Sequence, residues 1–230
     1  AFLMTIPCTV GLMLLAGVVT VGRINDQTIQ EADGRLARHA NDQAASLEAL
    51  TKSASNDLRL ARQNDIFNTA LSNAPGQLLA TDRQLVGQAM VYLGERYKVD
   101  EMCVIRSSGL EAARWVSGPG LAAVQDLSAD ERGGNPAVLP TLPLADDAIY
   151  QTSPYVSPDS LRWVIGFATP IVLPTGEHAG ILHFEIPIQR FVDELAATPF
   201  GGSSYSILLD RSGQLLSGPK LADFRTAQGL

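Results

Sequence analysis

Histidine, cysteine and paired carboxylates are the side chains through which this chain could do hydrolytic or metal chemistry, and it is poor in them. Its three histidines are His39, His178 and His183. His183-Phe184-Glu185 places two metal-capable side chains on one face of an expected strand, because strand side chains alternate. A zinc hydrolase needs further ligands, and neither Cys-x-x-Cys nor His-Glu-x-x-His occurs. No Walker A loop and no Gly-x-Ser-x-Gly elbow is present. Asp130-Glu131 and Asp146-Asp147 lie among turn formers and read as solvated loop charges. No catalytic residue, metal ligand or cofactor is expected.

Binding chemistry is better represented. Arg114 closes one expected strand and Tyr150 opens another, with a turn-rich excursion over residues 117–147 between them. Long connections in compact domains tend to carry function. If the excursion folds over the sheet, both side chains reach one cavity, where Arg114 can pair bidentately with a carboxylate.

The elements that position these residues follow from pattern. Residues 1–22 carry no charge, and about 20 apolar residues span the ~30 Å of a bilayer core. They are read as an uncleaved transmembrane helix, longer than a signal-peptide core and without a small-x-small cleavage site. The polar stretch that follows has no turn signal at the junction. Leu36, Ala40, Ala44, Leu47, Leu50, Ala54, Leu58 and Ala61 form a narrow helical stripe close to a coiled-coil seam. The expected stalk helix runs to about Asn73 and breaks at Ser72-Asn73-Ala74-Pro75-Gly76. A second helix is expected from about Asp82 to Tyr97, capped by Thr81, with Leu85, Val86, Met90, Leu93 and Tyr97 on its apolar face.

The period then changes to that of strands. Residues 102–106 and 110–116 form a hairpin around Ser107-Ser108-Gly109. At most a short helix near residues 128–132 interrupts the excursion. Strands follow at 148–153, 162–172 and 179–186, then a short helix at 189–196. A second hairpin starts at Tyr205 and turns on Asp210-Arg211-Ser212-Gly213. In the strand from Arg162, Trp163, Ile165 and Phe167 share one face and Val164, Gly166 and Ala168 the other, so both faces are buried. The class is α+β, with a five-stranded antiparallel sheet.

With 24 acidic and 17 basic residues the net charge is -7, which argues against nucleic acid as a partner. Cys8 lies in the apolar start and Cys103 in a strand, so they are not read as a pair, and Cys103 is taken as a small buried hydrophobe.

The hairpin Met102-Cys103-Val104-Ile105-Arg106-Ser107-Ser108-Gly109, the stretches Tyr150-Gln151-Thr152-Ser153-Pro154-Tyr155 and Gly166-Phe167-Ala168-Thr169-Pro170-Ile171, and the turn at Gly176-Glu177-His178-Ala179-Gly180 occur in one order. Together with Ile207-Leu208-Leu209-Asp210-Arg211-Ser212-Gly213, that order resembles the double-Cache family of extracytoplasmic sensor domains. The resemblance implies a transmembrane helix (1–22), a stalk helix (23–75), a membrane-distal PAS-like domain (76–197), and a linker with the start of a truncated membrane-proximal module (198–230). It also implies a small-molecule pocket on one sheet face, lined by Arg114, Trp115, Tyr150, Ser153, Tyr155 and Asp159, with aromatic walls and Asp159 placed to meet an amine. On the opposite reading Trp115 and Tyr150 are core aromatics, Arg114 is paired at the surface, and residues 154–160 are only a loop. The Arg-x-Trp-Tyr pattern of amino-acid-binding members is absent, so an amino-acid ligand is not implied.

The expectation is therefore the sensing region of an inner-membrane receptor facing the periplasm or the extracellular side. It binds a polar or anionic metabolite and pairs as a homodimer through its stalk. The chain is read as a non-enzymatic fragment whose missing output is a histidine kinase, a chemotaxis-type signalling helix or a diguanylate cyclase. The alternative is an anchored structural or protein-interaction module without a small ligand.

Overall fold

A computed structural model describes residues 5–72, 80–197, 205–210, 213 and 215–218, and the side chains of all of these except 5–19, 80 and 215. Contacts divide the chain into two units, residues 1–46 with 200–204, and residues 47–199 with 205–230. Helix α1 (Thr5–Arg62) is continuous. In the first unit its stripe is open to solvent: Leu36 is 49% exposed, and Ala40 and Ala44 are exposed with it. In the second unit Ala54, Leu58 and Ala61 are buried in the core, with Leu47 and Leu50 packed against it. The expected anchor, residues 1–22, falls largely outside the described side chains. Among the described residues no helix is long and apolar enough to cross a membrane.

Helix α1 ends earlier than its composition predicts. A turn at residues 63–65 separates α1 from α2 (Ile66–Ser72). Asn64 Oδ1 accepts from the Ile66 N–H at 3.2 Å and its carbonyl accepts from the Phe67 N–H at 3.2 Å, so a short polar side chain competes with the helical ladder and restarts it. The turn aims Phe67, Ala70 and Leu71 into the core. The expected breaker lies mostly in 73–79, outside the described residues. In α3 (Ala80–Tyr97) Thr81 lies inside the helix and is not its cap, and Leu85 is exposed while Val86, Met90 and Leu93 are buried.

The sheet has seven strands where five are expected. They are β1 (Glu101–Arg106), β2 (Glu111–Val116), β3 (Gly120–Leu121), β4 (Tyr150–Gln151), β5 (Tyr155–Val156), β6 (Trp163–Val172) and β7 (His178–Pro187). Every pairing is antiparallel, in the order β3-β2-β1-β7-β6-β4, with β5 also on β6. The five expected strands are all present, and β3 and β5 are additional. Of the strand expected at 148–153 only Tyr150–Gln151 forms, and the chain pairs with β6 again at β5, beyond Pro154, which has no N–H to donate to the ladder. Residues 128–132 are not helical. A 3-10 turn at Val124–Asp126 and α4 (Val138–Thr141) occupy the excursion instead. Asn135 Oδ1 accepts from the Ala137 N–H at 3.0 Å in a side-chain turn just before α4.

One sheet face carries Met102, Val104, Trp115, Phe167, Leu182 and Phe184 beneath α1, α2 and α3. Gly94 of α3 lies against the Trp115 indole, and a Cβ there would fall on the ring. The other face carries Cys103, Ile105, Ala168 and Ile181, covered by Ala137 and Val138 of the excursion. Helix α5 (Ile188–Ala197) follows β7 and buries Ile188 and Phe191. Among the described residues β8 (Leu208–Leu209) and β9 (Leu215–Ser217) pair with each other in a two-stranded sheet.

Candidate functional site

The loop-covered face holds a buried polar cluster beside its apolar half. Strand register assembles it. Glu101 of β1 stands opposite Glu185 of β7, and Cys103 opposite His183. Arg114 of β2 stands opposite Cys103 on the other side. Between Val104 and Ile105 the β1–β2 register shifts, so that Ile105 faces Glu111 and Ala112 is the extra residue. This bulge brings Glu111 and Arg114 to one face, although residues three apart in a regular strand point to opposite faces. Glu101, Cys103, Glu111, Ser157, His183 and Glu185 are all buried.

The segment after β4 completes the cluster from above. Tyr155 donates its hydroxyl proton to Glu185 Oε1 at 2.6 Å and lies 3.2 Å from His183 Nε2. Gly166 makes room for this pair, since a Cβ there would lie 2.9 Å from His183 Nε2 and 3.2 Å from the Tyr155 oxygen. Ser157 Oγ donates to Glu101 Oε2 at 3.4 Å, and the Cys103 thiol donates to Glu101 Oε1 at 2.8 Å. Arg114 meets Asp159 at 2.7 Å, Glu111 at 3.3 Å and the Asp126 carbonyl at 2.6 Å. Glu111 Oε2 also accepts the Ser128 N–H at 2.6 Å, which pins the excursion to β2.

Burial governs the electrostatics. It pushes Glu101 well above the ordinary carboxylate range, helped by the charge of Glu185 opposite, and it raises Glu185 as well. It raises Glu111, Cys103 and Tyr155, and lowers His183 to about 4, so that imidazole is neutral. Burial also works against the charge of Arg114, but Glu111 and Asp159 outweigh it and hold the guanidinium above its ordinary value. Three polar atoms in the cluster, Arg114 Nε, His183 Nδ1 and Glu185 Oε2, are buried without a hydrogen-bond partner among the described residues.

Of the six residues singled out in sequence, the structure brings Arg114, Tyr155 and Asp159 together. Asp159, expected to meet an amine, pairs instead with Arg114. Tyr150 lies on the same face but packs on the apolar cluster of Cys103, Ile105 and Ala168. Trp115 lies on the opposite face as a core aromatic against α3. Ser153 lines a separate cavity of about 730 Å³, walled by Leu47, Thr51, Ile165, Phe191 and Leu216. Sequence reasoning missed Glu101, Glu111 and Ser157, and it set aside Cys103, His183 and Glu185. The two-residue spacing of Glu101 and Cys103, matching that of His183 and Glu185, was the available signal.

Neither a protein-family model nor a curated protein sequence matches the chain. Solved structures do. The ligand-binding domain of the Campylobacter jejuni chemoreceptor Tlp3, in complex with 4-methylisoleucine, superposes with a TM-score of 0.61 at 16% identity, over 78% of this chain and 66% of that domain. The ligand-binding domain of the Pseudomonas fluorescens chemoreceptor CtaA, in complex with L-alanine, gives 0.59 at 17% identity, over 83% of this chain and 73% of that one. A domain of a putative sensory box/GGDEF family protein from Vibrio parahaemolyticus gives 0.59 at 13% identity, over 83% and 71%. The chain has the fold of these sensory domains, in agreement with the PAS-like resemblance of its sequence, and spans about two thirds of the Tlp3 domain's length.

Proposed function

We propose that this chain is the extracytoplasmic small-molecule sensing region of a transmembrane receptor. The observation that carries the reading is the Arg114–Asp159 pair at the edge of a buried polar cluster, under a long connection, in a fold shared with chemoreceptor ligand-binding domains. Side-chain exposures of 12% and 23% leave this pair accessible at the surface of the cluster. The ligand is a small polar metabolite with an anionic group. Its carboxylate or equivalent displaces Asp159 from Arg114 and gains a bidentate partner. The neighbours named with 4-methylisoleucine and L-alanine bind molecules that carry such a group. Asp159 lies in the connection between β5 and β6, so its release moves that connection and reports occupancy.

The surrounding organisation is proposed as the sequence suggests: an anchor at 1–22 in the inner membrane, a stalk at 23–75, the sensor at 76–197 outside the cytoplasm, and the start of a membrane-proximal module from 198. Stalk helices pair in a homodimer, a reading supported by the solvent-open Leu36, Ala40 and Ala44. Output lies in a further cytoplasmic portion.

Calorimetry with a metabolite panel tests the site on wild type, Arg114→Ala and Arg114→Lys. Losing a charge-assisted contact of about 1.5–3 kcal/mol weakens binding by about one to two orders of magnitude. Lys keeps the charge for Glu111 and Asp159 but loses the fork, so it should also bind more weakly with the fold intact. A ligand bound equally by all three would place the site elsewhere, and no binding across the panel would favour a structural module.

A further inference from the structure

Three donors that transition metals accept in combination meet on the β1–β7 ladder. A carboxylate oxygen of Glu101, Sγ of Cys103 and a ring nitrogen of His183 all lie within 4.8 Å of one another, and all three residues are buried. The register that sets Cys103 opposite His183 creates the meeting point. Hydrogen bonding shows which imidazole nitrogen is free. Tyr155 has one hydroxyl proton and donates it to Glu185 at 2.6 Å, so His183 Nε2–H is the donor in its 3.2 Å contact with the Tyr155 oxygen. Nδ1 then carries the lone pair. It has no hydrogen-bond partner, on a residue that is 0% exposed. Folds rarely keep such a buried acceptor idle. A metal-binding histidine, in turn, commonly donates its other N–H to an outer partner, which is the part Tyr155 plays here.

We propose that Glu101, Cys103 and His183 form a binding site for a divalent transition-metal ion of the zinc type, oriented by Tyr155. A sulfur, nitrogen and oxygen set suits Zn2+ or Co2+ and is wrong for Ca2+ and Mg2+, which take oxygen alone. Binding breaks the Cys103 S–H bond and forms a metal–sulfur bond. The proton leaves to solvent, as does any proton on Glu101, and the two anionic ligands then neutralise the dication. A tetrahedral ion spaces its sulfur and oxygen donors by about 3.5 Å, given bonds of about 2.3 and 2.1 Å. Cys103 Sγ and Glu101 Oε1, 2.8 Å apart, therefore separate by less than about 1 Å to admit it. Metal binding here requires neither Arg114 nor Asp159 nor any metabolite, so it stands or falls separately from the sensing role.

The metal-stripped full chain, titrated with Co2+, should bind a single ion and develop the intense visible bands of a tetrahedral site with a sulfur-to-cobalt charge-transfer band. Zn2+ should bleach both. Cys8→Ser should leave the charge-transfer band in place, and Cys103→Ser should abolish it. Tyr155→Phe keeps all three ligands and should weaken binding by about 10–100-fold, the usual effect of losing an outer partner, and His183→Gln should exceed that. Absence of saturable Co2+ or Zn2+ uptake by the wild-type chain overturns the site. So does a cobalt spectrum without the sulfur band, or a band that survives Cys103→Ser.

Discussion

Replacing Arg114 by Ala should disturb the loop-covered face more than any other surface-reaching change. The guanidinium meets Asp159 at 2.7 Å, Glu111 at 3.3 Å and the Asp126 carbonyl at 2.6 Å, and all three contacts go at once. The two carboxylates fare differently. Asp159, with 23% of its side chain exposed, can turn to water. Glu111, at 1%, cannot, and keeps the Ser128 N–H as its donor, because the single Cys103 thiol proton goes to Glu101. Breaking a buried pair by removing one partner costs about 3–5 kcal/mol, against about 0–1 for an exposed pair. Arg114→Ala should therefore cost about 3–4 kcal/mol, nearly all of it through Glu111, and Asp159→Asn about 1 kcal/mol. The double variant should show a coupling near 1 kcal/mol. For a domain of this size, about 3–4 kcal/mol lowers the unfolding midpoint by roughly 6–16 °C. Urea unfolding at neutral pH, followed by far-ultraviolet circular dichroism, measures all three variants. A cost below about 1 kcal/mol for Arg114→Ala would refute the reasoning, since Glu111 would then not depend on the guanidinium.

Other expectations follow from packing. Gly94→Ala puts a methyl group on the Trp115 ring, and overpacking of about 1–3 kcal/mol should outweigh the helix preference of Ala over Gly, about 1 kcal/mol; a more stable variant in the same denaturation assay would contradict the close approach. Leu58→Ala should cost about 2–5 kcal/mol because the side chain is wholly buried, whereas Leu36→Ala should stay within about 0.5 kcal/mol in the monomeric chain. A cysteine at Ala40, in a Cys8→Ser background, should form a disulfide-linked dimer in membranes, and the absence of cross-linking at any stripe position would count against the paired stalk.

Much of the architecture was legible in one dimension. Apolar steps of three and four residues announced α1 and α3, and alternation with turn formers announced β1, β2, β6 and β7. Two apolar faces along Trp163–Val172 marked a strand at the centre of the sheet. Details that depend on one polar side chain were not legible. Asn64 ends α1 about three helical turns before the Pro75-Gly76 pair that looks like the breaker, and Pro154 divides an edge strand.

The site was legible only in parts. Arg114, Tyr155 and Asp159 were singled out because a cation, an aromatic hydroxyl and an anion flank a long connection. Glu101, Cys103, Glu111, His183 and Glu185 were not assembled, because alternation assigns a residue to a face of its own strand and says nothing about what stands opposite. Register across β1 and β7 sets Cys103 against His183 and Glu101 against Glu185. The bulge at Ala112 turns Glu111 to the side of Arg114 against the strand period. The sequence by itself thus determined which segments are helices and strands and which of their faces are apolar, since those depend on local period. Only the tertiary structure decided which charges share a buried face, because register is set by the packing of whole strands against one another.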